Sequence, residues 1–163
     1  MEGVTPDYLS LQRALAEHRV KFIVGGGVCA VLHGASFATF ALEVVHSRVR
    51  KMFPGFCPRR TTWNACCRAM REQRLRPARE YLISPGRQLL IIRFGPLDIL
   101  GIIGVDHDYG ELLKYSVEYE VSRLHLLVLD LEALIKVEEE VGSEKDWVVL
   151  SILRRPLEEN LKR

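Results

Sequence analysis

No apolar run in this chain approaches the roughly 20 residues that a bilayer-spanning helix needs, so no membrane segment is expected. Cysteine is scarce. Its four copies, Cys29, Cys57, Cys66 and Cys67, include no CxxC spacing. That set offers no recognised zinc pattern, and reduced, mostly structural thiols are expected. Neither sign of charge is in excess: 23 Lys and Arg against 21 Asp and Glu leave a formal net charge of +2. This is too near neutral to argue for nucleic acid or an acidic membrane surface. Met1 to Asp7 lacks a basic segment followed by an apolar one, so no signal peptide is expected and a cytoplasmic location is the default. No internal repeat is apparent.

What is present suits one domain over residues 1–163. Apolar residues make up 48% of the chain, enough for a core without metal or disulfide staples. Leu9, Leu11, Leu15 and Val20 mark the apolar side of a first helix entered at Thr5-Pro6. Phe22 to Val24 reads as a short buried strand. Gly25, Gly26 and Gly27 follow at once, then a short helix from Val28 to His33 that Gly34 ends. A second strand is expected near Phe40 to Val45. Further on, Ser84-Pro85-Gly86 signals a turn, Gln88 to Arg93 a strand, and Leu97 to Ile103 a strand interrupted by Gly101. Asp108 to Lys114 reads as a short helix. Val117 to Val121 and Leu124 to Leu129 form a hairpin across two residues. Asp130 and Ser143 are placed to cap two helices that fill residues 130–163. This order predicts a mixed α/β sheet flanked by helices.

Residues 47–68 stand apart. They carry Arg48, Arg50, Lys51, Arg59 and Arg60, with Trp63 and no sustained period of 2 or 3.6. An irregular, solvated basic loop is the favoured reading, although such length is uncommon inside a compact domain. RNA contact through residues 48–76, with Phe53 and Trp63 stacking on bases, is the less favoured one.

The chemistry-bearing segment is Phe22 to Val45, FIVGGGVCAVLHGASFATFALEVV. It resembles the opening motif of the nucleotidyltransferase superfamily, the fold shared with DNA polymerase beta. There a Gly-Gly pair starts a helix after the first strand. An Asp-x-Asp follows on the second strand, and a neighbouring strand supplies a third carboxylate. The match is to a small bacterial branch, in which the segment reads like GG-VAAVLHGA followed by T-F-D-L-D. Gly95 to Gly101 (GPLDILG), Val128 to Ile135 (VLDLEALI) and Lys145-Asp146 are similar to later stretches of that branch.

The resemblance implies transfer of a nucleoside monophosphate from an NTP to a hydroxyl with Mg²⁺. Gly26 and Gly27 would approach the nucleotide's phosphates, and Lys145 would be a further basic contact. Glu43 and Asp98 would be the catalytic, metal-binding carboxylates: positions 41 and 43 face one way because strand side chains alternate with period two, and Asp98 would come from the neighbouring strand. Two ions in such an oxygen cage clamp the attacking and leaving oxygens. This sequence departs from the pattern where Ala41 replaces the first Asp and Glu43 the second. The departure implies Mg²⁺ that is weak or absent and a transferase activity that is weak or lost. Glu138 stands where the branch usually carries Lys, so a second phosphate contact is missing. Residues 47–68 replace an amphipathic helix at similar length, which suggests a local out-of-frame segment or a decaying gene.

Two alternatives accompany this reading. One is a non-catalytic module that binds a nucleotide or a protein partner, as members of this superfamily do in toxin–antitoxin pairs. The other is a dinucleotide site on Gly25-x-Gly27-x-x-Ala30 with Glu43 on a ribose hydroxyl. Gly34 cuts the helix too early for that, and no further βαβ unit follows. His33 and His46 read as structural histidines. Asp106 and Asp108 form a second D-x-D, with a turn and a helix cap as the simpler account.

Overall fold

A computed structural model describes residues 5–36, 38–48, 65–68, 75–142 and 144–162; at 79, 144–148, 156, 157 and 160 the description is of the backbone alone. Most of the basic stretch 48–76, with Phe53 and Trp63, lies outside the described residues, as do Ser143 and the side chain of Lys145.

Helix α1 (Tyr8–Glu17) starts where the Asp7 carboxylate accepts from the backbone N–H of Ser10 at 3.0 Å, an N-cap that satisfies an otherwise orphaned donor. Leu11, Ala14 and Leu15 are its buried side. The helix is one turn shorter than the apolar spacing predicts. Arg19 turns the chain with φ 55, and Val20 reaches the core from outside the helix. Strand β1 (Phe22–Gly25) is buried throughout, and α2 (Gly26–Leu32) follows without a loop. Gly34, at φ 91, ends that segment as its position predicts.

Strand β2 (Leu42–His46) leads, across the largely undescribed segment, to β3 (Cys66–Cys67) and the short helix α3 (Arg79–Leu82). Strands β4 (Arg87–Ile92) and β5 (Gly95–Leu100) form an antiparallel hairpin. The strand expected over Leu97 to Ile103 divides at Gly101. A β-carbon there would stand 2.7 Å from Pro85 Cα and Ser84 O, so only glycine admits the Ser84-Pro85 turn against it. The chain resumes as β6 (Ile102–Ile103) and β7 (His107–Asp108), which pair with each other.

Helix α4 (Tyr109–Leu112) is capped by Asp108 and runs into a 3-10 turn at Leu113–Tyr115. Strands β8 (Ser116–Val121) and β9 (Leu124–Leu129) meet at a two-residue turn, Ser122 and Arg123, both at positive φ. That is the primed geometry matching the strands' own twist. Helix α5 (Leu131–Val141) takes its N-cap from Asp130, which accepts from Ala133 N–H at 2.7 Å, and ends at Gly142, φ 63. Helix α6 (Glu144–Leu161) closes the described chain.

Among the described residues, seven strands form one mixed sheet in the order β3-β4-β5-β2-β1-β9-β8. The pairs β1–β9 and β2–β5 are parallel, and the others antiparallel. The expected mixed α/β architecture is thus observed. On one face Leu42, Val44, Leu97 and Ile99 are each 1% exposed or less and belong to the core. The alternate residues of the same strands carry the polar groups, and that alternation positions the site. No helix among the described residues is long and apolar enough to cross a membrane.

Candidate functional site

The parallel register of β2 and β5 sets Glu43 opposite Asp98. Paired residues project to the same face, so both carboxylates stand in one cavity of about 830 Å³. The expected convergence of these two residues is therefore present. Gly26, Gly27 and Ala41 line the same cavity. Gly26 has a spatial reason to be glycine. Its φ is 58, and a β-carbon would lie 2.6 Å from Glu43 Oε2 and 3.0 Å from Glu43 Cβ. The side chain of Glu43 thus lies across the glycine bend. The loop carrying Ala41 is fastened from α1 by Tyr8, whose hydroxyl donates to Thr39 O at 2.6 Å.

Glu43 is partly buried in its strand. Its side chain is 28% exposed. Burial raises its pKa above the usual carboxylate range; Arg87 opposes the shift and Asp98 adds to it. Asp98 is buried, at 2% exposure. A buried carboxylate needs partners, and it has two. Arg68 donates to Oδ1 and Arg87 to Oδ2, the latter at 2.8 Å. Arg87 also stands 3.6 Å from Glu43.

Neither arginine is evident as a site residue from the sequence. The strand expected from Gln88 begins one residue earlier, at Arg87. Leu89 pairs with Asp98, and by alternation Arg87 shares their face. Arg68 follows Cys67 in β3, where Cys66 pairs with Ile91 and Cys67 with Leu90. Arg68, one residue beyond the strand, reaches Asp98 from there. It also lies 5.4 Å from the ring centroid of Phe40, within cation–π range.

The far wall comes from α5 and α6, with Val137, Glu138, Val141, Val149 and Leu153. Glu138 thus presents an acid where the resemblance implies a base. Lys145 heads α6, and its side chain is outside the described residues.

The histidines are engaged in the fold. His33 Nε2 donates to Leu129 O at 2.7 Å and its Nδ1 accepts from the Tyr119 hydroxyl at 3.2 Å, which ties α2 to β8 and β9. His46 is buried in β2, and its Nδ1 accepts from Arg48 N–H at 3.1 Å. Burial, with Arg48 nearby, brings its pKa down to about 4. Asp108 accepts from Glu111 N–H at 2.9 Å and serves as the cap of α4.

Mg²⁺ favours octahedral oxygen ligation. Ala41 supplies no ligand. Both oxygens of Asp98 are held by guanidinium groups. Among the described residues, no group of three or more His, Cys, Asp or Glu is placed to hold a metal ion. The residues present do not fit the ion that the resemblance implies.

No family model matches this sequence, and no curated protein does. The fold does have a counterpart among solved structures. A candidate nucleotidyltransferase from Thermotoga maritima superposes with a TM-score of 0.55, covers 96% of each chain and is 18% identical. With a seven-stranded mixed sheet, a glycine bend beside its second strand and this superposition over nearly its whole length, the chain has a nucleotidyltransferase-like fold.

Proposed function

We propose that this chain is a nucleotide-binding protein built on a transferase fold, with little or no capacity to transfer the nucleoside monophosphate. One observation carries the reading: Glu43 and Asp98 stand opposite each other on parallel strands inside a nucleotide-sized cavity, while Ala41 leaves the first carboxylate place empty of any ligand group. Gly26 and Gly27 line the cavity, and the family resemblance gives them the phosphate contacts. The transfer reaction places its demand on charge stabilisation at the phosphoryl oxygens. Two carboxylates, one of them neutralised by arginine, do not meet that demand with a tightly held ion. The reading therefore keeps binding and gives up turnover.

The test is incubation of the pure protein with labelled NTPs, Mg²⁺ and a mixed pool of hydroxyl acceptors, beside calorimetric titration of the same NTPs. Saturable binding without labelled product is the expected result. Mg²⁺-dependent product at about 1 s⁻¹ or faster, the ordinary enzymatic range, overturns it.

A further inference from the structure

The carboxylates that would hold cations in the related fold hold cations here too, but the cations belong to the chain. Arg68, just after β3, and Arg87, on the neighbouring β4, bind the two oxygens of Asp98, and Arg87 reaches toward Glu43. Two fixed positive charges stand against Glu43 and Asp98, and Glu138 acts on Arg87 from the opposite wall. Each guanidinium carries five N–H donors, and the contacts to Asp98 use one nitrogen of each. Arg68 Nε is buried and has no acceptor among the described residues. Both side chains line the cavity. Arg87 is 53% exposed, so its remaining donors are within reach of an entering molecule.

Guanidinium groups match phosphate oxygens in geometry and charge. They cost no dehydration of a divalent ion at the moment of binding. The same feature weakens the case for metal, since an incoming Mg²⁺ would have to displace two charge-assisted hydrogen bonds from a carboxylate buried to 2% exposure.

We propose that Arg68 and Arg87 take the place of the metal ions, making this cavity a divalent-independent site for a phosphorylated ligand. The inference rests on the nucleotide-binding reading above and adds to it what does the charge work. A phosphate group bridges free N–H donors of the two guanidiniums where they line the cavity. Asp98 acts as a positioning residue that fixes both arginines. Glu138 on the opposite wall sets a limit on how much negative charge the cavity accepts.

The test is a calorimetric titration of the full chain with ATP, tripolyphosphate and adenosine, each in EDTA and in Mg²⁺. ATP is expected to bind in EDTA, with an affinity that Mg²⁺ does not improve. Adenosine is expected not to bind. Arg87→Gln should weaken binding in EDTA by about 10- to 100-fold, the loss of one charge-assisted contact. Asp98→Asn should weaken it too, by less than Arg87→Gln does, because both guanidiniums lose the carboxylate that fixes them while one unit of negative charge leaves the neighbourhood of the phosphate. A metal-dependent site gives no binding in EDTA for either substitution to weaken. Tripolyphosphate binding as tightly as ATP supports the arginine site and removes the nucleotide reading. ATP binding that requires Mg²⁺ overturns the arginine site and leaves the nucleotide reading standing. No binding of any phosphate compound in either buffer overturns both. The wild-type comparison decides between these outcomes if a variant does not fold.

Discussion

Replacing Asp98 by Asn separates an arginine-clamped carboxylate from an empty metal ligand by the sign of its effect on stability. In a cluster of unpaired carboxylates, removing one relieves repulsion and stabilises the fold. Here Asp98 is almost wholly buried and binds both Arg68 and Arg87. Arg68 is 22% exposed, so its contact behaves as a mostly buried ion pair, and losing it costs about 2–3 kcal/mol. Arg87 is half-exposed, and screening reduces its share to about 0.5 kcal/mol. Relief of repulsion with Glu43 returns on the order of 1 kcal/mol. The balance is a loss of about 2 kcal/mol, which lowers Tm by about 4–8 °C for a chain of this size. Urea unfolding followed by circular dichroism, with calorimetry for Tm, reads both quantities. An Asp98→Asn variant as stable as wild type, or more stable, refutes the clamp.

Two further predictions follow from local geometry. Gly26→Ala should cost about 2–3 kcal/mol, from a positive φ that alanine resists and from overlap with Glu43 at both Oε2 and Cβ; an effect below about 0.5 kcal/mol in urea unfolding contradicts the packing described. His107 bonds Glu140 at 2.8 Å, joining β7 to the end of α5. The contact with Glu140 raises the His107 pKa against partial burial, and Glu111 helps. It also lowers that of Glu140. The histidine's contribution is complete below its ordinary 6.5 and fades as pH rises through the raised value. That of Glu140 is complete above 4.5 and fades as pH falls through the lowered value. A double-mutant cycle with His107→Gln and Glu140→Gln should therefore give its largest coupling between those two pH values, about 1–2 kcal/mol, and little at alkaline pH. A coupling that does not change with pH counts against a charged pair.

Much of the fold is legible because it is local. Gly34 at a positive φ, Asp130 before an apolar helix, and the Ser122-Arg123 turn each act through neighbouring backbone. The facing of Glu43 and Asp98 follows from alternation once a resemblance supplies the partner strand. The arginines are illegible for the opposite reason. Arg87 stands beside a turn signal, and only its pairing in the β4–β5 hairpin aims it. Arg68 sits in a segment without periodicity, and its direction depends on β3 joining β4 about 20 residues later. The burial of Glu43 is likewise tertiary, set by the glycine bend packed across it. Alternation within β2 shows which face a side chain takes, not what closes over it. Lys145 remains a contact that the resemblance alone implies, since its side chain is outside the described residues.

The most direct measurement is a titration of Mn²⁺, the paramagnetic stand-in for Mg²⁺, into the wild-type protein, with free Mn²⁺ read by electron paramagnetic resonance. If Arg68 and Arg87 hold the cation place, wild-type protein leaves the free Mn²⁺ signal unchanged at equimolar ratio. Stoichiometric uptake of Mn²⁺ by the wild-type chain, abolished by Asp98→Asn, would contradict the account at its centre.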